Sequence, residues 1–130
     1  MPSNRLDCCT IVVVEDHEDA RTYLGIFLSG LGADVVLAKD GIEGLDAVKE
    51  HNPDLVITDL QMPRMDGFEL LRVIRGLKPD VRGSVPIIAM TAFGATIENA
   101  RLANMGFQAW IQKPFTIERF LATILALLDT

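Results

Sequence analysis

The chain has 130 residues and carries a formal net charge of −6, with 49% hydrophobic and 23% charged residues. This size and composition are typical of one globular domain with a buried core. A net negative charge argues against a surface that binds nucleic acid or an anionic membrane, since phosphates attract basic patches.

Neither a membrane span nor a secretory signal is predicted, because no apolar run approaches about eighteen residues and no cleavage site is visible. Cys8 and Cys9 are adjacent. Neighbours in a strand point to opposite faces, so a disulfide between these two cysteines is not expected. The chain is therefore predicted to be cytoplasmic.

Short apolar runs alternate with amphipathic segments along the whole chain, and each run precedes a helical pattern. The predicted strands cover residues 9–14, 34–38, 55–58, 85–90 and 108–111. The predicted helices cover residues 20–31, 42–50, 67–77, 96–104 and 117–128. Gly32 and the Asn52-Pro53 pair end the first two helices, and Thr116 caps the last.

This β-α order, repeated five times, predicts an α/β fold with a doubly wound parallel sheet and helices on both faces. In such sheets ligands bind beyond the carboxyl ends of the strands. Chemically distinctive residues come just after four of the predicted strands. They are Glu15 and Asp16, Asp59, Thr91 and Lys113.

Three carboxylates at one edge repel each other, and two like charges about 4 Å apart cost on the order of 4 kcal/mol at an effective dielectric constant of about 20. A bound cation would offset that repulsion, and oxygen ligands favour Mg²⁺, with Mn²⁺ as a substitute. The alternative is a solvated acidic loop end. Lys113 and Thr91 could neutralise and hydrogen-bond a phosphoryl group, and a carboxylate beside Mg²⁺ can be the nucleophile.

The segment Asp59-Leu-Gln-Met-Pro-Arg-Met-Asp-Gly67 resembles the receiver family of response regulators. Three further segments, at residues 11–16, 89–92 and 113–115, match in order and spacing, and the likeness extends over Thr10 to Leu128. The resemblance implies one receiver domain over residues 1–130, with its core at about 9–128. The implied fold is a flavodoxin-like (βα)5 sheet with strand order 2-1-3-4-5.

The resemblance also implies a role for each site residue. Asp59 would accept the phosphoryl group, and Lys113, before a cis proline bond, would bind it. Mg²⁺ would be held by Glu15, largely through water, by Asp16 and Asp59, and by the backbone carbonyl of Gln61. Thr91 and Trp110 would switch the surface formed by the fourth helix, fifth strand and fifth helix. The phosphodonor would be a histidine kinase or a histidine phosphotransfer protein.

Some positions depart from the commonest family pattern. Trp110 replaces the usual Tyr or Phe, and it could instead be a strand-end residue that covers the last helix. His17 directly follows the acidic pair. We interpret His17 as a solvent-facing residue at a helix start, because Mg²⁺ disfavours imidazole.

The resemblance implies a signalling domain that is switched by phosphorylation and is not an enzyme acting on a separate substrate. There are three alternatives to this function. A dehalogenase-class phosphatase needs a second carboxylate two residues after the nucleophile, where Gln61 stands. A receiver that lost phosphorylation would lack part of the acidic site. A flavodoxin-like cofactor carrier needs a phosphate loop rich in Ser, Thr and Gly after the first strand. The sequence names no output domain or target.

Phe93 and Gln61 are predicted to flank the route of the water that hydrolyses the phosphorylated aspartate. The bulky, apolar Phe93 should hinder that water, so Phe93→Glu should dephosphorylate faster than the wild type. The measurement is the decay of the phosphorylated mass after the donor is removed. Equal decay rates for the two proteins would contradict this role.

Overall fold

The computed structural model describes residues 6–7, 9–77, 83–92 and 99–128. Cys8, Phe93 and most of the predicted 78–84 loop lie outside the described residues, as do the first three positions of the predicted fourth helix. None of the described helices is both long and apolar enough to cross a membrane.

Five strands and five helices alternate along the chain. The strands are β1 (Thr10–Val14), β2 (Asp34–Ala38), β3 (Leu55–Asp59), β4 (Ile87–Thr91) and β5 (Ala109–Gln112). The helices are α1 (Glu18–Gly30), α2 (Gly41–His51), α3 (Gly67–Arg75), α4 (Asn99–Met105) and α5 (Ile117–Leu128).

The strands form one parallel sheet in the order β2-β1-β3-β4-β5, which confirms the predicted topology. β2 lies on one side of β1 and β3 on the other, so the strand order reverses between β1 and β3. Their carboxyl ends align, with Val14 opposite Thr58. Asp59 is opposite Met90, and Thr91 is opposite Gln112. The residues that follow these strands therefore share one edge.

Two hydrophobic clusters cover the two faces of the sheet. The first cluster joins the strands to α2, α3 and α4, and the second joins them to α1 and α5. β3 is buried along its whole length, as expected for a central parallel strand. The buried Leu6 belongs to the second cluster, and its backbone N–H donates to the Leu31 carbonyl over 2.8 Å.

The element boundaries follow local backbone chemistry. β4 begins at Ile87, two residues later than predicted, because Pro86 has no N–H to donate to the ladder. α1 ends before a left-handed Gly32 at φ 99°, as its sequence predicted. The Thr116 hydroxyl accepts from the Arg119 N–H over 3.1 Å and so caps α5.

Two aspartates cap the helices that flank the carboxyl edge. Asp40 accepts from the Glu43 N–H at 2.9 Å, and Asp66 accepts from the Glu69 N–H at 2.8 Å. Asp40 is also paired with Arg64, whose Nε lies 2.9 Å from Oδ2. This ion pair joins the β2–α2 turn to the loop that follows Asp59.

The pKa of Asp40 reflects competing influences. Burial of this carboxyl alone would raise its pKa, but the hydrogen bonds from Glu43 and Arg64 outweigh burial and hold the pKa below its usual range. The ionised carboxylate therefore stabilises the fold above the ordinary aspartate pKa of about 3.9. That stabilisation is lost as the pH falls through the lower pKa of the folded state.

Asp40→Ala should destabilise the protein more than the matched cap variant Asp66→Ala. Loss of a cap alone costs about 1 kcal/mol, and Asp40→Ala also removes the partner of Arg64, for about 1 kcal/mol more. Urea unfolding at pH 7 measures both losses. The excess loss should vanish in an Arg64→Ala background and shrink below about pH 4. Equal losses in the two cap variants would show that the Arg64 pair adds nothing.

Candidate functional site

An acidic cluster lies at the carboxyl edge of the sheet. Glu15 and Asp16 follow β1, and Asp59 is the last residue of β3. Oxygen atoms of these three carboxylates and a ring nitrogen of His17 all lie within 4.8 Å of one another. Glu15 is fully buried and Asp59 is 7% exposed, so water screens their repulsion poorly.

Lys113 bridges two of these carboxylates from the loop after β5. Its Nζ lies 2.7 Å from Glu15 Oε1 and 3.0 Å from Asp59 Oδ2. Its backbone N–H donates to the Thr91 carbonyl over 2.8 Å, which holds the loop against the end of β4. The following bond to Pro114 is cis, as the resemblance implied.

The Lys113 ammonium contacts two buried acids whose pKa values are shifted in opposite directions. Burial raises the pKa of Asp59; the Lys113 hydrogen bond opposes that rise, but the negative charge of Glu15 adds to it. Burial also acts to raise the pKa of Glu15, but hydrogen bonds from Lys113 and the His17 backbone lower it overall. With Lys113 shared between them, the pKa of Glu15 is therefore lowered and that of Asp59 is raised.

The pKa of Lys113 is raised even though burial of an ammonium acts to lower it. Hydrogen bonds to Glu15 and Asp59 outweigh the loss of hydration. The ammonium therefore stays charged through the neutral range, and fixed positive charge is held beside the Asp59 carboxylate.

The donor set fits a hard divalent ion. Asp16 Oδ1 is buried and, among the described residues, is the one buried side-chain nitrogen or oxygen that lacks a hydrogen-bond partner. An unsatisfied buried carboxylate oxygen is costly unless a cation or proton joins it. Glu15, Asp16 and Asp59 could supply carboxylate oxygens to Mg²⁺, which also accepts water and phosphate oxygens.

The start of α3 packs closely against the backbone at Asp59. The Leu60 N–H donates to Asp59 Oδ1 over 3.1 Å. Gly67 opens α3 against the same strand end, and a Cβ there would lie 2.3 Å from the Asp59 carbonyl oxygen. Only glycine permits this approach, so the spacing of Asp59 and Gly67 at the two ends of the motif reflects direct contact between them.

Thr91 ends β4 at the same edge and is 8% exposed. Its hydroxyl has a long contact of 3.5 Å to the Ile111 carbonyl, beyond the usual range for such a bond. The hydroxyl is therefore weakly held. Trp110 is half-buried and packs with the first cluster, on the α4 face, rather than over α5 as the alternative interpretation proposed.

The structure brings Glu15, Asp16, Asp59 and Lys113 together, and it places Thr91 at the same edge. Gln61 lies exposed in the loop two residues after Asp59. Phe93 lies outside the described residues, so its role stays a prediction, as do the roles of the other site residues.

His17 is the site-lining residue that the sequence interpretation set aside. Its Nδ1 lies 3.1 Å from Glu15 Oε2 and 3.4 Å from Asp16 Oδ1, although 76% of its side chain is exposed. It is therefore solvent-facing, as expected, and also turned towards the acids. Its position directly after Glu15-Asp16 was the only signal in the sequence.

Comparison with known proteins gives a consistent family. The family model described as the response regulator receiver domain matches residues 11–125. A polar-differentiation response regulator DivK of Brucella anthropi is 31% identical over 115 residues, which cover 88% of this chain and 92% of the relative. The DivK of Brucella ovis is 34% identical over 116 residues, with the same two coverages of 88% and 92%.

Solved structures agree in fold. The chemotaxis protein CheY4 of Vibrio cholerae has a TM-score of 0.81 and 27% identity, covering 91% of this chain and 97% of that one. The receiver domain of a sensor histidine kinase from Pseudomonas aeruginosa has a TM-score of 0.82 and 27% identity, covering 94% of this chain and 98% of that one. A magnesium ion is coordinated in the active-site cleft of that second structure.

The topology, the acidic edge and these matches lead to one conclusion. The chain belongs to the response regulator receiver domain family, whose members are signalling domains of two-component systems.

Proposed function

We propose that this receiver accepts a phosphoryl group on Asp59 from a phosphohistidine, in a reaction that requires Mg²⁺. The donor is a histidine kinase or a histidine phosphotransfer protein, and residues 1–130 act as one cytoplasmic receiver domain with its core at about 9–128. The observation that carries the proposal is the Lys113 ammonium, which lies within 3.0 Å of both Glu15 and Asp59. A buried, unsatisfied oxygen of Asp16 stands beside them.

In the proposed step, a carboxylate oxygen of Asp59 attacks the phosphorus atom. An oxygen–phosphorus bond forms, the phosphorus–nitrogen bond of phosphohistidine breaks, and its electron pair leaves with the imidazole. The products are an aspartyl phosphate and a free histidine on the donor. Such transfers depend mainly on positioning and on fixed positive charge near the transferring group.

The chain's own residues supply that positioning and charge. Lys113 already contacts Asp59 Oδ2 and would bind a phosphoryl oxygen once transfer removes negative charge from that carboxylate. A bound Mg²⁺ would supply positive charge for the phosphoryl oxygens. Its ligands would be Glu15, acting largely through water, Asp16, Asp59 and the Gln61 backbone carbonyl.

Phosphorylation would then alter the α4–β5–α5 surface. The weakly held Thr91 hydroxyl would turn towards the new phosphoryl group and draw the end of β4 with it. Trp110 lies in β5 and packs on the α4 face, so a shift there would reach its indole. Gln61 and Phe93 would set the rate of hydrolysis from beside the site.

The proposed activity is self-modification and its reversal, and a phosphatase acting on separate substrates is the alternative. Turnover of p-nitrophenyl phosphate by the purified chain would favour that alternative. The absence of a carboxylate at position 61 supports the signalling role, since the competing mechanism lacks its general acid.

Acetyl phosphate with Mg²⁺ should add one phosphoryl group, about 80 Da, to the wild-type chain. Asp59→Asn should gain none, because an amide is a poor nucleophile in this step. Asp54→Asn is the matched control. Asp54 is partly buried and lies just before β3, at the opposite edge of the sheet. The Asp54→Asn variant should therefore gain the phosphoryl mass on Asp59 as the wild type does. Intact-mass analysis with Mg²⁺ or with EDTA measures all three proteins.

Two results would overturn the proposal. One is a wild-type chain that gains no mass with Mg²⁺, which would indicate a receiver that acts only as an interaction module. The other is equal phosphorylation of wild type and Asp59→Asn, which would place the acceptor elsewhere.

Phosphorylation should change the fluorescence of Trp110, the single tryptophan of the chain. Thr91→Ala should still gain the phosphoryl mass but should lose most of that fluorescence change, because its side chain cannot reach the phosphoryl group. Thr91→Ser keeps the hydroxyl and should restore the change. A full fluorescence change in phosphorylated Thr91→Ala would exclude Thr91 as the link to Trp110.

A further inference from the structure

The His17 side chain is held over the acidic pair by the start of α1. His17 is the N-cap residue of this helix, yet its side chain makes no capping hydrogen bond. Its backbone N–H donates instead to Glu15 Oε2 over 3.0 Å. This bond folds the β1–α1 turn back on itself and leaves the imidazole beside the carboxylates.

The spacing of the potential donor atoms matches that of ligands around a single ion. Two ligands at right angles, each about 2.1 Å from a divalent metal, are separated by about 3.0 Å, and wider angles give longer separations. His17 Nδ1 lies 3.4 Å from Asp16 Oδ1, a direct ligand in the proposed site, and this separation falls in that range. Its 3.1 Å contact with Glu15 Oε2 is a hydrogen bond, since Glu15 would act on the metal largely through water. Asp16 Oδ1 is the buried oxygen that has no hydrogen-bond partner.

We propose that His17 supplies an imidazole ligand to the metal site and so raises its affinity for Mn²⁺ and similar transition ions relative to Mg²⁺. This inference rests on the proposed function, because it uses the same acidic cluster. Imidazole nitrogen binds first-row transition ions in the Irving–Williams order, in which Mn²⁺ is the weakest, whereas Mg²⁺ takes oxygen ligands almost exclusively. Mg²⁺ would therefore bind through its oxygen ligands alone, and Mn²⁺ would gain a nitrogen ligand.

The change needed at His17 is small. Without a metal, Nδ1 is placed to share a proton with Glu15 Oε2. As a ligand, Nδ1 must present its lone pair, and the proton is then carried on Nε2. With 76% of the side chain exposed, the ring can exchange that proton with solvent and adjust its position without disturbing the core. An ordinary surface contact between His17 and Glu15 is the competing explanation.

Affinity measurements separate these explanations. Calorimetry at pH 7.5 gives the Kd of Mg²⁺ and of Mn²⁺ for the wild type, His17→Ala and His51→Ala. His51 is the second histidine of the chain and ends α2, so it is the matched control. His17→Ala should weaken Mn²⁺ binding at least about tenfold while Mg²⁺ affinity changes less than about threefold. His51→Ala should change neither.

Pulsed electron paramagnetic resonance of bound Mn²⁺ provides a direct signature. A nitrogen ligand gives a ¹⁴N modulation, which should appear in the wild type and His51→Ala and be absent in His17→Ala. A wild-type spectrum without this modulation, or an unchanged Mn²⁺ to Mg²⁺ ratio of affinities in His17→Ala, would overturn the proposal. If Asp59 still gains its phosphoryl group with Mg²⁺ in that case, only the role of His17 fails. A wild type that neither binds Mg²⁺ nor becomes phosphorylated would instead contradict the proposed function.

Discussion

The contact of one lysine ammonium with two buried carboxylates is the interaction on which the rest of the site depends. Lys113 lies 2.7 Å from Glu15 and 3.0 Å from Asp59, and each carboxylate would otherwise be an unpaired charge in a poorly hydrated place. One positive charge cannot neutralise three acids. The remaining negative charge is the physical reason why a divalent cation fits here. Burial raises the pKa of Asp59, and the charge of Glu15 adds to that rise.

Close backbone contacts around the site keep these charged groups together. Gly67 and Gly41 let backbone segments approach so closely that a Cβ would lie 2.3 Å from the Asp59 carbonyl oxygen and 2.4 Å from that of Met65. The Asp40–Arg64 pair and the cap by Asp66 fix the same loop at both ends. Tight backbone contact, together with these side-chain bonds, therefore sets the position of the acceptor.

Much of the fold followed from periodicity and chain order, and the comparisons with solved structures confirm it. Apolar runs such as 55–58 and 85–90 predicted buried parallel strands, and alternation with helices then placed their carboxyl ends together. The boundaries were less certain. Pro86 shortened β4 at its start, and α1 ended at Gly30 with Leu31 as its cap, because backbone donors and left-handed positions decide where regular hydrogen bonding stops.

The sequence by itself determined which residues reach the carboxyl edge, because each stands at or just after the end of a strand whose direction the β-α order sets. It also determined the chemistry of the set: three acids, one ammonium and one hydroxyl. Only the tertiary structure decided the pairings. The turn of the exposed His17 ring towards the acids depends on side-chain angles. The contact of Lys113 with both Glu15 and Asp59 joins residues up to 98 positions apart. No local pattern encodes such distances.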